Sequence, residues 1–286
     1  MRLIVGEGSI GRRLSSYWQE KDIAHDVSTR NPSRVVSNNP FIDLSAEADF
    51  SFDNHYEVAV LCAGNSDMLE CKTDPIGTRK INVEGTVKLA RYLETTGTHI
   101  IFISSEKVYS GSNPHRSPND KTNPLTDYGK QKERTEEDIL ILKNSTILRL
   151  TKVIDPSEAL LRGWFTKLSL GQTITAFSDL CFAPISMYFV CTLIEGLIAQ
   201  KVTGIWHGSA THEISYHFAA EHLAACFEVD RDVIEVTSAA CLSLYDSEEI
   251  PIYTSLNMEK TQSLGLTVED PIDVIHANIC NMNLTS

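Results

Sequence analysis

The chain has 286 residues, is 42% hydrophobic and carries a formal net charge of -13. That length can bury a large core as one large or two modest domains, and the charge argues against an extended nucleic-acid surface. No apolar run approaches a membrane span, and Met1 leads into a strand pattern instead of a signal peptide, so no membrane or nucleic-acid partner is expected.

The first element is the apolar run Leu3 to Val5, followed by Gly6, Gly8 and Gly11 in the spacing G-x-G-x-x-G, and then a helix over Arg12 to Trp18. A strand, a tight glycine turn and a helix together form a phosphate cradle. Gly6 permits the turn, Gly8 lets backbone approach a pyrophosphate, and Gly11 lets the helix pack on the strand. Ser9 and Ile10 fall in the same turn and are assigned to the cofactor with the glycines. Ile23 to Val27 is the second predicted strand. Arg30 lies nineteen residues beyond Gly11, where a nicotinamide-binding domain meets the adenosine ribose. An arginine there pairs with the 2′-phosphate of NADP, whereas an acid would hold the hydroxyls of NAD. Asp26 would swing the choice to NAD if the strand boundary were a few residues off. Phe41 to Leu44 reads as a third strand and its exit, which brings Asp43 and Leu44 toward the adenine.

Val58 to Cys62 is a nearly continuous apolar run, as in a strand covered on both faces, and Ala63-Gly64-Asn65 ends it with small residues that leave room for a cofactor. A helix over Pro75 to Tyr92 follows. The strand His99 to Ile103 empties into Ser104-Ser105, at the carboxyl end of a strand where ligands collect in open parallel sheets. After a loop from Pro114 to Pro124, a helix begins at Asp127. It places Tyr128 and Lys132 four residues apart on one face. A cation beside the phenol is expected to lower its pKa, so that Tyr128 donates a proton to a carbonyl near neutral pH while Ser105 hydrogen-bonds the same oxygen.

These segments resemble the extended short-chain dehydrogenase/reductase superfamily. The resemblance rests on the glycine turn, Asn82-Val83-Glu84-Gly85-Thr86, Ser104-Ser105-x-x-Val108-Tyr109, Pro124-x-x-x-Tyr128-Gly129-x-x-Lys132 and Thr146-Ile147-Leu148-Arg149. It implies Tyr128 as catalytic acid/base, Lys132 as the residue that tunes it and binds the nicotinamide ribose, and Ser105 as the group that polarises the carbonyl. It also implies that Asn82 holds the sheet and cofactor region, and that Lys152 and Val153 contact the nicotinamide end. The family glycine pattern is usually G-x-x-G-x-x-G, and Val5 stands where its first glycine falls.

Beyond Asp155-Pro156 the chain changes character. Helices are predicted over Ser157 to Leu168, Ser186 to Ala199 and Ile214 to Phe227, with extended segments at 171–176 and 204–207. Pro251-x-x-Thr254-Ser255-Leu256-Asn257 resembles the tail of the dTDP-4-dehydrorhamnose reductase branch. Nucleotide-sugar dehydratases carry two adjacent acids after the hydroxyl residue, and Glu106-Lys107 here argues against dehydration. Lys107, Arg149 and Arg162 are candidate phosphate ligands. Two of them have a plainer reading, a solvated lysine for Lys107 and an internal ion pair for Arg149. Trp206 reads equally as a stacking platform or a core residue. The seven cysteines (62, 71, 181, 191, 226, 241, 280) form no C-x-x-C pair and read as thiols in a reducing cytoplasm. His212, His217 and His222 are five apart and rotate round a helix, so no metal site is expected.

The expected fold is α/β: a doubly wound parallel-sheet NAD(P)-binding Rossmann fold over 1–155 and a smaller C-terminal α/β substrate lobe over 156–286, with the return of elements to the sheet left open. The leading expectation for function is an NADPH-dependent reductase, NAD being open as cofactor, of a keto group on a sugar or nucleotide-sugar. An NAD-dependent nucleotide-sugar epimerase and a non-catalytic dinucleotide-binding sensor or scaffold are the alternatives. A homodimer paired through the helices around 76–92 and 128–142 is also open.

Overall fold

The computed structural model describes residues 1–36, 39–47, 49–155, 159–241 and 251–284, with the side chains of 159, 241 and 279–284 also outside the description. Contacts divide the chain into two units. The first comprises Met1–Tyr109, Lys121–Arg149 and Cys191–Trp206; the second comprises Ser110–Asp120, Leu150–Val190 and His207–Ser286.

The first unit is built on strands β1 (Arg2–Val5), β2 (His25–Val27), β3 (Val58–Leu61), β4 (His99–Ser105) and β5 (Ser145–Leu150), joined by β6 (Gly204–Gly208) from late in the chain. Their spatial order is β6-β5-β4-β3-β1-β2. This is a parallel six-stranded central sheet with flanking helices, a Rossmann-like α/β fold. All four residues of β3 and all seven of β4 are buried, which explains their unbroken apolar runs. Leu3, Val5, Ala59, Leu61, Ile100, Phe102 and Ile147 of the sheet pack with Leu89, Leu93 and Ile139 of the helices. Because β1 lies between β2 and β3, the strand order reverses there, and the carboxyl ends of β1 and β3 open a crevice.

Three expectations change. Phe41 to Leu44 is not a strand of the sheet. Thr29 and Phe41 form an isolated bridge, and the Asp43 carboxylate accepts from the Ser45 backbone N–H at 2.9 Å and the Ser45 hydroxyl at 2.7 Å, so the chain turns instead of extending. The helix predicted from Pro75 to Tyr92 is not regular either. Pro75–Arg79 leads into a π turn over Lys80–Gly85 and then into α2 (Thr86–Thr95), the second helix labelled after α1 (Ser9–Gln19). The Thr86 hydroxyl donates to the carbonyl of Ile81, five residues back, at 2.9 Å. Gly85 sits so close to Leu44 that a Cβ there would lie 1.9 Å from its carbonyl oxygen. The second strand also starts later than predicted, because the Ile23 N–H still bonds the Trp18 carbonyl at the end of α1.

The second unit has its own core, with Trp164, Leu168, Ile174, Phe182, Leu223, Val274 and Ile275 buried together. Its strands pair in twos: Ile174–Phe177 parallel with Ile234–Thr237, Cys181–Phe182 antiparallel with Ile214–Ser215, and Val153–Ile154 parallel with Ile185–Ser186. Helices Ala159–Ser169, Tyr216–Cys226 and Pro271–Leu284 belong to it. Residues 156–158, where the predicted helix over Ser157 to Leu168 begins, lie outside the described residues. No described helix is long and apolar enough to cross a membrane. Trp206 is a core residue of the first unit, 6% exposed, with its indole N–H donated to the Thr203 carbonyl.

Candidate active site

The glycine turn closes around the end of β1. Gly6 has φ +110°, in the left-handed region open to glycine, and a Cβ there would meet the Ala63 backbone at 2.8 Å. A Cβ on Gly11 would lie 2.0 Å from the Gly6 carbonyl oxygen, so only glycine lets α1 pack this close to the strand. Gly8 is the N-cap of α1 and makes no side-chain cap, which leaves the first N–H groups of the helix, beginning at exposed Ser9 and half-buried Ile10, for an anion. Val5 ends β1 buried, and Gly6 makes the turn in its stead.

Gly6, Gly8, Arg30, Asp43, Leu44, Cys62, Ala63 and Gly64 all line one cleft of about 660 Å³, a size suited to a cofactor. Arg30 is exposed there. The Arg30 charge helps hold the Asp43 carboxyl below its usual range, although the two Ser45 hydrogen bonds do more. Asp26 does not line the cleft: it is 2% exposed and accepts from the Tyr56 hydroxyl at 2.7 Å and the Asn54 amide at 2.9 Å. Among the lining residues not assigned to the cofactor from the sequence are Glu7, Ser28 and Ser45. Ser28 accepts the Gly6 N–H at 3.0 Å, and its signal was its place directly after β2. Glu7 faces Arg34 at 3.4 Å.

Asn82 sits buried in the π turn. Its Nδ2 donates to the Asn65 carbonyl at 2.9 Å and to Gln131 Oε1 at 2.8 Å, while its Oδ1 accepts the Asn65 N–H at 2.7 Å. It thereby fixes the loop after β3 to α3 (Asp127–Leu140), the helix that carries Tyr128 and Lys132.

Ser105 ends β4, and its hydroxyl both accepts the Lys107 N–H and donates to Glu106 Oε2 at 2.7 Å. α3 starts hard against the following turn, because Gly129 lies where a Cβ would be 2.2 Å from the Lys107 carbonyl oxygen, and Thr126 caps the helix by accepting the Gly129 N–H. That approach brings half-buried Tyr128 into a hydrogen bond with Ser105. Burial and the Glu106 and Cys71 charges push the phenol well above its ordinary pKa, opposite to the shift expected from the sequence. The Lys132 Nζ lies 5.7 Å from the centre of the Tyr128 ring and 4.5 Å from that of Phe102, and donates to the Ile103 carbonyl at 2.9 Å. Burial pulls the lysine down to about 8, against the opposing Glu136 charge.

One turn on from Lys132, Glu136 is buried and holds Arg149 at 2.6 Å, with both side chains 3% exposed. The Ser104 hydroxyl donates to the same carboxylate, and Arg149 also donates to the Tyr109 hydroxyl. Arg149 is therefore an internal ion-pair residue. Lys107 is not solvated: 19% exposed, it pairs with Glu106 at 3.3 Å. Arg162 is exposed on Ala159–Ser169. Lys152 and Val153 belong to the second unit, where Val153 pairs with Ile185 and the Lys152 carbonyl accepts the Ile185 N–H.

A family model described as RmlD substrate binding domain matches residues 1–272. The chain is 30% identical over 255 residues to methionine adenosyltransferase 2 subunit beta of Rattus norvegicus, covering 82% of this chain and 72% of that one. A dTDP-4-dehydrorhamnose reductase structure from Yersinia enterocolitica superposes with a TM-score of 0.86 at 20% identity, covering 98% of this chain and 99% of the other. That of dTDP-4-dehydrorhamnose reductase from Bacillus anthracis in complex with NADP gives 0.81 at 16% identity, over 98% and 99% of the two chains.

Proposed function

The chain belongs to the family described as RmlD substrate binding domain, and from that premise we propose that it is an NADPH-preferring reductase of a keto group on a sugar or nucleotide-sugar. The observation that carries the reading is the hydrogen-bonded Ser105 and Tyr128 at the end of β4, with Lys132 one turn along α3. The dTDP-4-dehydrorhamnose reductases it resembles, one of them in complex with NADP, support it.

The cleft fits a dinucleotide. A Cβ at Gly6 would strike the Ala63 backbone and one at Gly11 would hold α1 off the glycine turn, and the exposed Arg30 lines the cleft while Asp26 is tied inside the sheet. When bound, the reduced nicotinamide supplies the hydride for the ketone carbon. The protein supplies the rest. Tyr128, whose raised pKa keeps it protonated at neutral pH, donates its proton to the ketone oxygen, and Ser105, its hydroxyl turned from Glu106 to the substrate, donates a hydrogen bond to that oxygen as charge grows on it. Lys132 holds a positive charge beside the ring that becomes anionic. Lys107, paired with Glu106, stands where a dehydratase carries its second acid, which weighs against dehydration.

The test is NADPH consumption with a panel of nucleotide-linked 4-keto sugars. Turnover by the parent and its loss in Tyr128→Phe support the reading, and no turnover on any member sinks it. A cofactor that copurifies tightly and oxidised would point to the epimerase instead.

A second reading is favoured by the rat relative, whose name makes it a subunit of a methionine adenosyltransferase. On it, the chain keeps the dinucleotide site and acts by assembling with such an enzyme. Co-elution of the two chains, unaffected by Tyr128→Phe, would select it.

We carry a homodimer within the proposal, supported by exposed Ile76, Leu140 and Ile141 on the two helical segments expected to pair. The thiols of Cys62, Cys71, Cys181 and Cys191, none in a disulfide, support a cytoplasmic setting.

A further inference from the structure

His212, His217 and His222 are spaced by five and do not share a helix face. The structure groups His222 with different partners. Helix Tyr216–Cys226 and helix Pro271–Leu284 pack against each other in the second unit and bring His222, Cys226 and His276 together, one donor atom from each lying within 4.8 Å of the others. The Nε2 atoms of His222 and His276 face each other in direct contact, and the two rings lie 4.3 Å apart, centre to centre, at 30°.

Helix geometry explains the convergence. Residues four apart share a face, so His222 and Cys226 present an imidazole and a thiol side by side, and His276 completes the group from the facing helix. Two imidazoles and a thiolate are the donor set of a borderline-soft divalent ion. With Zn–N near 2.0–2.1 Å and Zn–S near 2.3 Å, a tetrahedral ion asks for donors roughly 3.3–3.8 Å apart, a separation reached by small side-chain rotations from the observed cluster. Phe218 stacks on His222, with rings at 18°, and restrains it.

The spacing recurs on the second helix, where Cys280 follows His276 by four residues as Cys226 follows His222. The Cys280 side chain lies outside the described residues, so the assignment is to the three described donors.

We propose that His222, Cys226 and His276 bind one zinc-class divalent ion that clamps helix Pro271–Leu284 to helix Tyr216–Cys226. Binding joins two neutral imidazole nitrogens and one thiolate to the ion and releases the thiol proton to solvent. The site is outside the reductive machinery, none of whose residues it uses.

The experiment is titration of the metal-stripped full chain with Co²⁺, then Zn²⁺. The parent is expected to take up one equivalent, with visible bands of tetrahedral Co²⁺ and a thiolate-to-cobalt band in the near ultraviolet, both erased by Zn²⁺. Cys226→Ser and His276→Ala should each weaken Zn²⁺ binding at least about tenfold, and Cys226→Ser should reduce the thiolate band. His217→Ala, on the same helix but outside the cluster, should bind as the parent does. Zn²⁺ should raise the melting temperature of the parent and not of His276→Ala, a readout that checks the fold of each variant. No Co²⁺ uptake by the parent, no melting shift with Zn²⁺, or undiminished affinity in both ligand variants overturns the site.

Discussion

Lys132 donates its ammonium to the carbonyl oxygen of Ile103 at 2.9 Å, which holds the side chain along β4 beneath the Tyr128 ring. Burial brings its pKa down to about 8, so its charge is present below that pH and lost above it. The protonated lysine is the form that supports an anionic phenol. kcat/KM for ketone reduction should therefore be level at lower pH and fall about tenfold per unit above about 8. A profile that stays level well beyond that point would remove Lys132 from the proton chemistry.

Tyr128→Phe should fold normally, bind NADPH as the parent does and lose about 10²–10⁴-fold in turnover, the usual effect of removing a positioned proton donor. Steady-state rates with matched cofactor titrations measure both parts. A rate within about twofold of the parent would take the phenol out of the mechanism.

The parent should prefer NADPH to NADH, and Arg30→Ala should erase most of that preference by weakening NADPH about ten- to a hundredfold while leaving NADH nearly unchanged. The structural basis is an exposed guanidinium at the cleft and an Asp26 already bonded to Tyr56 and Asn54. Calorimetry with both cofactors decides it. Tighter NADH binding by the parent would refute the preference.

Glu136→Ala should destabilise the protein by about 3–5 kcal/mol, because it leaves the buried Arg149 charge without its carboxylate. Urea unfolding of parent and variant measures the loss. A change below about 1 kcal/mol would mean that water or Tyr109 replaces the missing acceptor.

The glycine turn, the four central strands and the Ser105, Tyr128 and Lys132 set were legible because each depends on local spacing: a positive φ at Gly6, unbroken burial along β3 and β4, and one helical turn from Tyr128 to Lys132. What the sequence hid depends on contacts made across long separations. Phe41 to Leu44 has a strand's composition, but a side-chain turn at Asp43 wins. Lys132, one helical turn from Tyr128, implies a lowered phenol pKa, whereas burial and Glu106 set the opposite direction. The four-residue step from His222 to Cys226 matches no familiar ligand motif, and its third member, His276, comes from a helix fifty residues further along the chain.

The π turn at Lys80–Gly85 amounts to one residue more than a regular helix would use over the same path. Deleting one residue N-terminal to Asn82 within that turn would restore regular winding and swing Asn82 by about 100° around the helix axis. Its amide would then point away from both Asn65 and Gln131, the groups it now joins. The length of this segment is consequently under a constraint that no single side chain reveals: substitutions along its exposed face are tolerable, whereas a one-codon loss is not.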